Sequence, residues 1–392
     1  MKKLYTLLTC IIALSASAQT FDEVLSRIVN SNPDIAALAQ NNNATIESLA
    51  SENNLADPEI SARHLWGHDG NNKMGFGISQ SFDWPGLYSA RSKSINATKA
   101  ALSELYTASV LDKTLEVKLL MIDFIAAKCN YSYFTCVKEN MDSLQTKYSE
   151  AYRKGEVSVL DLNKIKIERI KVAKQANECK LRCENIRAEI ASLTTDKDAV
   201  AMLDNINDYP ADAILSESEY ENLINQSDPN IAYYEAMTTV ADRNISVAKM
   251  QGLPGFSLGY EFEREEGTNF KGISFSMSLP FFSGRHKKAS AISEKAAYET
   301  TLISEKIKAL SQMRALRSEA KTLYEEVNDY ASIISDNSHL YLLKKALEGG
   351  EINLFTYIQE LNYFIEAKSD YQDLVYQYNQ SLTKLNRLKL VK

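Results

Sequence analysis

Residues 74–84 read MGFGISQSFDW, in which apolar residues alternate with small or polar ones. An alternation with a period of two is typical of a β-strand that has one apolar face. The pattern occurs once more just before this stretch and twice in the second half of the chain. It predicts four strands, paired as two hairpins with polar tips at 68–72 and 265–269. The strands are expected at about residues 58–66, 74–84, 254–264 and 270–281.

The length and the alternation of these strands are those of a transmembrane barrel, whose strands have about 9–11 residues. The alternative is the half-buried sheet of a soluble domain, which would need a further apolar layer over its hydrophobic side. We favour the barrel because the helices predicted below pack against one another instead. The lumen of the barrel would be lined by the small and polar strand positions, namely Gly75, Ser79, Ser81, Glu261, Glu263, Ser274 and Ser276.

The two hairpins belong to two copies of one half-domain. Four landmarks recur at an offset of 195 or 196 residues: Pro33, Pro58, Gly77 and Gly155 correspond to Pro229, Pro254, Gly272 and Gly350. A repeat of this length indicates a duplicated half-domain rather than a solenoid unit. We predict a signal peptide at 1–18, a first repeat at 19–195, an acidic linker or small lateral element at 196–216, and a second repeat at 217–392.

The first residues have the pattern of a secretory signal, with Lys2 and Lys3 before an apolar stretch and a small-residue cleavage site before Gln19. A lipoprotein signal ending at Cys10 is the alternative, but Thr9 fits that reading poorly. No later run of 18 or more apolar residues occurs, so no transmembrane helix is expected. The formal charge of -7 falls to about -9 without the two lysines, which argues against a nucleic-acid partner.

Helices occupy the rest of each repeat. A short helix opens each half, at residues 21–30 and about 217–225, and a second helix starts at Pro33 and at Pro229. Residues 87–153 contain neither proline nor glycine and predict one helix about 100 Å long at 1.5 Å per residue.

The long helices show a coiled-coil period, with apolar positions at alternating steps of three and four residues. Glycine interrupts them at Gly155 and Gly350, so each glycine predicts the turn of an antiparallel helical hairpin. The predicted seams are Leu115, Leu119, Ile122, Ala126, Cys129, Tyr133 and Cys136; Leu162, Ile165, Arg169, Val172, Ala176, Cys179, Cys183, Ile186, Ile190 and Leu193; Ala320, Leu323, Val327, Tyr330 and Ile334; and Tyr371, Val375, Tyr378, Leu382 and Leu385.

Four membrane strands cannot close a barrel by themselves. An open edge in hydrocarbon leaves backbone amides and carbonyls unpaired, at several kcal/mol each, and the smallest barrels have eight strands. The chain is therefore expected to share its barrel with further copies of itself. Two copies would give eight strands and three would give twelve, and long helices packed in a ring favour the wider tube.

Two further stretches complete a resemblance to a known family. Residues 152–162 read YRKGEVSVLDL, and residues 349–354 read GGEINL. Together with the duplication, the proline-initiated strands and the shared Gly-Ile-Ser at 77–79 and 272–274, they resemble the outer-membrane efflux proteins, the TolC-like channels. The resemblance covers essentially all of the mature chain.

The resemblance implies a mostly α-helical fold of long antiparallel coiled-coil helices, with four strands contributed to a trimeric twelve-stranded β-barrel. It further implies a passive exit duct of a tripartite efflux or type I secretion system. Such a duct lies in the outer membrane, extends into the periplasm, and works with an inner-membrane pump through a periplasmic adaptor.

The resemblance also implies that the two glycine turns are periplasmic tips where the adaptor docks. Glycine permits the reversal, and Ser158 or Asn353 can cap the helix that follows. The alternative is that these residues only form a turn. The docking residues would be Gly155, Glu156, Val157, Ser158 and Asp161 at the first tip, and Gly350, Glu351, Ile352 and Asn353 at the second.

In the family, aspartates that follow the second tip narrow the aperture. The matching positions here are Thr356 and Gln359, and the nearby acids Glu351 and Glu360 are the other candidates for a ring around the opening. The alternative for all of them is a solvated helix face.

Four cysteines of the mature chain lie on the predicted seams. Folding the first hairpin about Gly155 places Cys129 opposite Cys183 and Cys136 near Cys179, which predicts two disulfides in a compartment that permits them. Three connectivities are possible for four cysteines. Neighbouring helix axes lie 8–10 Å apart, which is long for a disulfide, so buried free thiols are the alternative.

The sequence shows no catalytic or cofactor motif. The four histidines have no metal-ligand spacing, and there is no phosphate loop, dinucleotide fingerprint or nucleophile elbow. We therefore expect a non-enzyme without cofactors, driven by a separate pump. The other function classes are a periplasmic coiled-coil adaptor or structural scaffold of an export complex, which would need lipoyl-like β segments around a single hairpin, and a porin, which would build its barrel from one chain.

Overall fold

The structure is a computed structural model that describes residues 21–68, 72–280, 286–334 and 338–391. The predicted signal peptide at 1–18, part of the first hairpin tip at 69–71 and the end of the last predicted strand at 281 lie outside the described residues. None of the described helices combines the length and the apolar character needed to cross a membrane.

The predicted fold class is confirmed: the described chain consists mostly of long helices and contains one four-stranded antiparallel sheet. The first repeat contains α1 (21–30), α2 (Pro33–Ser51), β1 (Glu59–Trp66), β2 (Asn72–Phe82), α3 (Pro85–Arg153) and α4 (Val159–Ser192). Between the repeats lie α5 (Lys197–Met202) and a 3-10 turn (Leu203–Asn205). The second repeat contains α6 (Glu217–Ser227), α7 (Pro229–Met250), β3 (Gly255–Glu265), β4 (Thr268–Ser278), α8 (Lys287–Ile334), α9 (Ser338–Glu348), α10 (Leu354–Leu385) and a final 3-10 turn (Arg387–Leu390).

The strands form one sheet in the order β1-β2-β3-β4, with every neighbouring pair antiparallel. Their ends lie within three residues of the predicted bounds. Glu266 and Gly267, both at positive φ, make the two-residue turn between β3 and β4. The pairing of β2 with β3, which joins the two repeats into one sheet, is a feature that the sequence analysis did not predict.

Two compact units divide the chain, and neither coincides with a repeat. One, the helical unit, contains the described parts of residues 1–36, 109–223 and 310–392. The other, the sheet unit, contains residues 37–108 and 224–309. Each unit therefore combines segments of both repeats, and the chain passes from one unit to the other inside helices such as α3.

Both helical hairpins of the helical unit share one hydrophobic core. Buried side chains of α3, α4, α9 and α10 form it, so the turn after α3 and the turn after α9 emerge from the same four-helix cluster. Its buried members are Tyr133, Phe134, Val137, Met141, Leu144, Ile165, Val172, Ala176, Leu340, Leu343, Leu354, Tyr357, Leu361 and Ile365.

The predicted seams are buried in part. On α4, Val172, Ala176, Ile186 and Ile190 are buried, whereas Cys179 and Cys183 between them are half-exposed. On α3, Ile122, Ala126 and Tyr133 are buried, but Cys136 is exposed. A strict seven-residue period assigns each helix one contact face, whereas α3 packs against several partners and buries other positions, such as Val137 and Met141.

Residues 206–216, here called the strap, follow the helical unit without forming a helix. Lys118 of α3 pairs with Asp212 at 2.8 Å, Asn386 donates to the carbonyl of Ala213, and Arg317 donates to the carbonyl of Leu215. The predicted acidic linker is thus held against helices of both repeats within this unit.

Candidate functional site

The two glycine turns have the same backbone geometry. At the first, Gly155 has φ +77°, its N–H donates to Tyr152 O, and the N–H of Glu156 donates to Ala151 O at 2.9 Å. These two bonds define a Schellman motif, which satisfies the last carbonyls of a helix.

The second turn repeats the motif residue for residue. Gly350 has φ +73°, its N–H donates to Leu347 O, and the N–H of Glu351 donates to Ala346 O at 2.9 Å. The duplication seen in the sequence is therefore preserved down to single backbone hydrogen bonds.

Each turn is followed by a capped helix. Ser158 Oγ accepts the N–H of Asp161 at 3.1 Å and donates to its carboxylate at 2.7 Å. In the second turn Asn353 Oδ1 accepts the N–H of Thr356 at 2.9 Å and its hydroxyl at 3.3 Å. Both predicted N-caps are thus formed. The hydrogen bond from Ser158, helped by Lys164, lowers the pKa of Asp161, so this carboxyl is ionised at neutral pH.

Each turn also presents one large apolar side chain to solvent at the second position of the new helix. Leu160 is 68% exposed and Phe355 is 64% exposed, and they occupy equivalent positions of the two repeats. Their exposure was not predicted from the sequence, although the 195-residue offset aligns the two residues. We call Leu160 and Phe355 the turn anchors.

Charges distinguish the two turns. The first turn has Arg153 and Lys154 before its glycine, whereas the second has Glu348 and Gly349 at the equivalent positions; a glutamate follows the glycine in both. Lys147 of α3 and Glu348 of α9 form an ion pair at 2.6 Å that connects the two hairpins. The Lys147 ammonium lowers the pKa of Glu348.

The candidate aperture residues all lie in or just after the second turn. Thr356 is half-buried, and its hydroxyl is bonded to Asn353, so it is the structural counterpart of Asp161. Gln359 and Glu360 are exposed on α10, as is Glu351 in the turn. Of the predicted turn residues, Val157 and Ile352 are half-buried, and Ile352 packs against the shared core.

The structure does not bring the predicted cysteine pairs together, and all four cysteines are free thiols. Burial raises the pKa of Cys129, and the charged groups that also act on it are Lys128 of α3, Asp208 of the strap and Lys368 of α10. Those that act on Cys183 are instead on its own helix, Cys179 among them. The number of residues from Gly155 predicts the position of each cysteine along the hairpin axis, but not the side of the helix on which it lies.

The sheet has one mainly polar face and one mainly apolar face; Leu65 and Phe270 are the large apolar side chains on the polar one. The register places all seven predicted lumen positions on one face, which also carries Arg63 and Lys73 paired with Glu263. The other face exposes large apolar side chains: Ile60, Trp66, Met74, Phe76, Ile78, Leu258, Tyr260, Ile273, Phe275 and Met277. Within the described residues, β1 and β4 each pair with one neighbour only.

Among the described residues, no group of three or more histidine, cysteine, aspartate or glutamate side chains is placed to hold a metal ion. The candidate site consists of surfaces, namely the two turns and the two faces of the sheet.

No protein-family model matches the chain, and no curated protein matches it. Solved structures do match. A membrane protein from Pseudomonas aeruginosa superposes with a TM-score of 0.75 at 14% identity, over 94% of this chain and 90% of that one. The CmeC outer membrane channel of Campylobacter jejuni gives 0.74 at 18% identity, over 94% and 85%.

The open state of the MtrE outer membrane channel of Neisseria gonorrhoeae gives a TM-score of 0.70 at 12% identity, over 94% of this chain and 88% of that one. The fold is therefore that of the outer-membrane channels, and the predicted resemblance is confirmed at the level of the fold.

Proposed function

We propose that the protein is a passive exit channel of the outer membrane, assembled from three copies whose sheets join into a twelve-stranded barrel. The observation that carries the proposal is the apolar sheet face. Ile273 in the middle of β4 is 80% exposed, and soluble proteins rarely expose a contiguous apolar surface of this extent. Lipid would cover this face, and copies of the chain would pair with β1 and β4.

The dimensions of the sheet support a membrane position. Strand β2 has 11 residues, or about 34 Å at ~3.4 Å per residue. A tilt of 35–45° reduces this to about 25 Å, the height of the apolar band of outer-membrane barrels. Trp66 and Trp84, both exposed, lie at opposite ends of the strands, where aromatic residues flank such bands.

The turns support docking of a periplasmic adaptor, through which an inner-membrane pump would drive export. Protein–protein interfaces have an apolar centre and a polar rim, and each turn anchor is a large exposed apolar side chain among polar turn residues. The chemistry of the polar sheet face, with small residues and charged side chains, suits a water-filled lumen. The adaptor class of protein receives no comparable support, because its single hairpin with lipoyl-like flanks does not match two hairpins and one sheet.

Cell fractionation with unheated gel electrophoresis tests the channel. We expect the protein in the outer membrane as a heat-dissociable band of about three times the protomer mass, and discrete conductance steps in a planar lipid bilayer. A protein that stays single-chain in detergent, or that is recovered from the soluble periplasmic pool, would contradict the proposal.

Site-specific photocrosslinking tests the docking. A photoreactive residue at position 160 or 355 should capture the adaptor in cells. One at Leu181, which is also exposed, at 57%, but lies about 30 Å further along α4, should not. The variant Leu160→Asp/Phe355→Asp should lose export and keep both the trimer band and the conductance. Normal export by this variant would rule out the anchors as docking residues.

A further inference from the structure

A recess of about 340 Å³ opens in the helical unit, between α3, the strap, α9 and α10. Its volume is within the range of small-molecule sites, about 300–1,000 Å³. Tyr133, Leu340 and Lys368 form a buried floor, whereas Cys136 and Asn207 are exposed at the mouth. The recess is therefore open to solvent on one side and adjoins the shared hydrophobic core on the other.

Two buried polar atoms of this recess have no hydrogen-bond partner among the described residues. They are the hydroxyl oxygen of Tyr133, a residue that is 6% exposed, and the side-chain oxygen of Gln372. Four such atoms occur in the described part of the chain, so half of them belong to this one recess. Buried polar groups are nearly always hydrogen-bonded, and water or a bound molecule must supply the missing partners here.

The two atoms need opposite partners. Burial raises the pKa of Tyr133 to about 12, so its hydroxyl is protonated at neutral pH and can donate a hydrogen bond. The side-chain oxygen of Gln372 is an acceptor and needs an N–H or O–H donor. A molecule that satisfies both atoms carries an acceptor and a donor.

The charges at the recess favour an anionic acceptor. Lys128 and Lys368 are the charged side chains that line it among the described residues. The Lys128 ammonium donates to two backbone carbonyls and to Asn207 Oδ1, at 2.6–3.1 Å, and these three neutral oxygens do not cancel its charge. Asp208 of the strap acts on the pKa of the Cys129 thiol in the opposite sense to the two lysines. Two ammonium groups and one carboxylate of the described residues thus act on this region.

We propose that the recess binds a small carboxylate that also carries an N–H donor, which is the chemistry of an amino acid or a short peptide. The carboxylate accepts the Tyr133 hydroxyl in the field of the two lysines, and the N–H group donates to the side-chain oxygen of Gln372. The site lies within the helical unit and does not rest on the proposed channel function.

Cys136 at the mouth is a natural reporter of what the recess prefers. Its sulfur attacks one sulfur of a small disulfide probe, the S–S bond of the probe breaks, and the other half leaves as a thiol. Three probes of similar length differ in their end groups: dithiodipropionate carries a carboxylate, hydroxyethyl disulfide a hydroxyl, and cystamine an ammonium. Cystine has the carboxylate and adds an N–H donor beside it.

The full-length chain, purified in detergent, is equilibrated with each probe and a competing thiol, and peptide mass mapping measures the labelled fraction at position 136. The chain unfolded in concentrated urea gives the intrinsic preference of the same thiol. Relative to that reference, we expect the folded chain to favour dithiodipropionate over hydroxyethyl disulfide about tenfold, as for a hydrogen bond to a charged group. Cystamine should be disfavoured, and cystine should label best.

Two variants assign the preference to the two unpartnered atoms. Tyr133→Phe should abolish the preference for dithiodipropionate, and Gln372→Leu should abolish the additional preference for cystine. Tyr148→Phe removes a hydroxyl from the same helix about 22 Å away and should label as the parent does. Because the Tyr133 hydroxyl has no partner to lose, thermal unfolding of Tyr133→Phe should be unchanged or shifted upward.

The proposal is wrong if the folded and the unfolded chain rank the probes alike, since the recess would then hold water only, or if the folded chain favours cystamine. It is also wrong if Tyr133→Phe labels as the parent does, or if this variant unfolds at a lower temperature, because the hydroxyl would then have a structural role. Labelling is measured on the isolated chain, so these outcomes do not depend on whether the protein forms a channel.

Discussion

Gly155 and Gly350 each end a helix in the left-handed conformation. A Cβ added at either position would meet nothing within 4 Å, so the space around the two glycines places no demand on their identity. The backbone conformation is what favours glycine, because φ values of +77° and +73° would bring a Cβ too close to the following carbonyl.

Replacing these glycines should therefore destabilise the helical hairpins in a way that depends on the backbone alone. We expect Gly155→Ala and Gly350→Ala each to cost about 1–2 kcal/mol. Gly350→Asn should cost less, since asparagine is the next most common residue at such a helix end. Thermal unfolding followed by circular dichroism at 222 nm measures the difference. Equal losses for the alanine and asparagine variants would show that the turn is not held in this conformation.

At single residues, the helix caps could be predicted from the sequence but the exposure of the turn anchors could not. The caps Ser158 and Asn353 were predicted and are formed, because a cap depends on a hydrogen bond to a residue three positions away. The exposure of Leu160 and Phe355 was not predicted, because each is one apolar residue in an amphipathic helix. Its exposure is set by which face the neighbouring helices cover.

At the level of elements, the strap differs most from what its sequence predicts. Its composition indicates a linker, and its backbone is not helical. Yet Lys118, only 5% exposed, pairs with Asp212 of the strap inside the helical unit. An ion pair with one partner this deeply buried loses much more than a surface pair when one charge is removed.

Lys118→Met should consequently loosen the strap. The Asp212 carboxylate would lose its counter-charge, and we expect a loss of about 3 kcal/mol, seen as a lower melting temperature and faster proteolysis within residues 206–216. The double variant Lys118→Met/Asp212→Leu should recover most of the loss because no unpaired charge remains.

A less buried lysine on the same helix serves as the control. Lys113, whose side chain is 30% exposed, pairs with Glu116 at 2.9 Å and with Asp34 at 3.4 Å, and Lys113→Met should change stability by less than about 1 kcal/mol. If Lys113→Met and Lys118→Met were equally destabilising, the strap pair would have no special role.

At the scale of the whole molecule, an aspartate should have opposite effects on membrane insertion at two neighbouring residues that lie on opposite faces of the sheet. Ile273 is on the apolar face and Gly272 on the polar face of the same strand. No atom lies within 4 Å of a Cβ added at Gly272, so a side chain fits there without collision. The pair therefore separates the effect of facing lipid from the effect of adding a charge to the strand.

Ile273→Asp should impair stable membrane insertion, because a lipid-facing charge at the middle of the bilayer costs about 2–4 kcal/mol for Lys or Arg and less for Asp, and the proposed trimer would carry it three times. Gly272→Asp should insert and retain the heat-dissociable trimer. Gel electrophoresis of outer-membrane fractions measures both. A trimer that tolerates the aspartate at position 273 but not at position 272 would reverse the assignment of the two faces.

The sequence by itself determined the elements: four strands from their two-residue alternation, long helices from the absence of proline and glycine, turns from Gly155 and Gly350, and the duplication of all of them. These features depend on residues that are close in the chain, so a periodic pattern is sufficient to reveal them. The tertiary structure alone decided that β2 pairs with β3, that Lys118 forms an ion pair with the strap, and that the predicted cysteine pairs do not meet. Those features join segments that are distant in the chain, and their pairing follows from the packing of helices and strands, which no local pattern encodes.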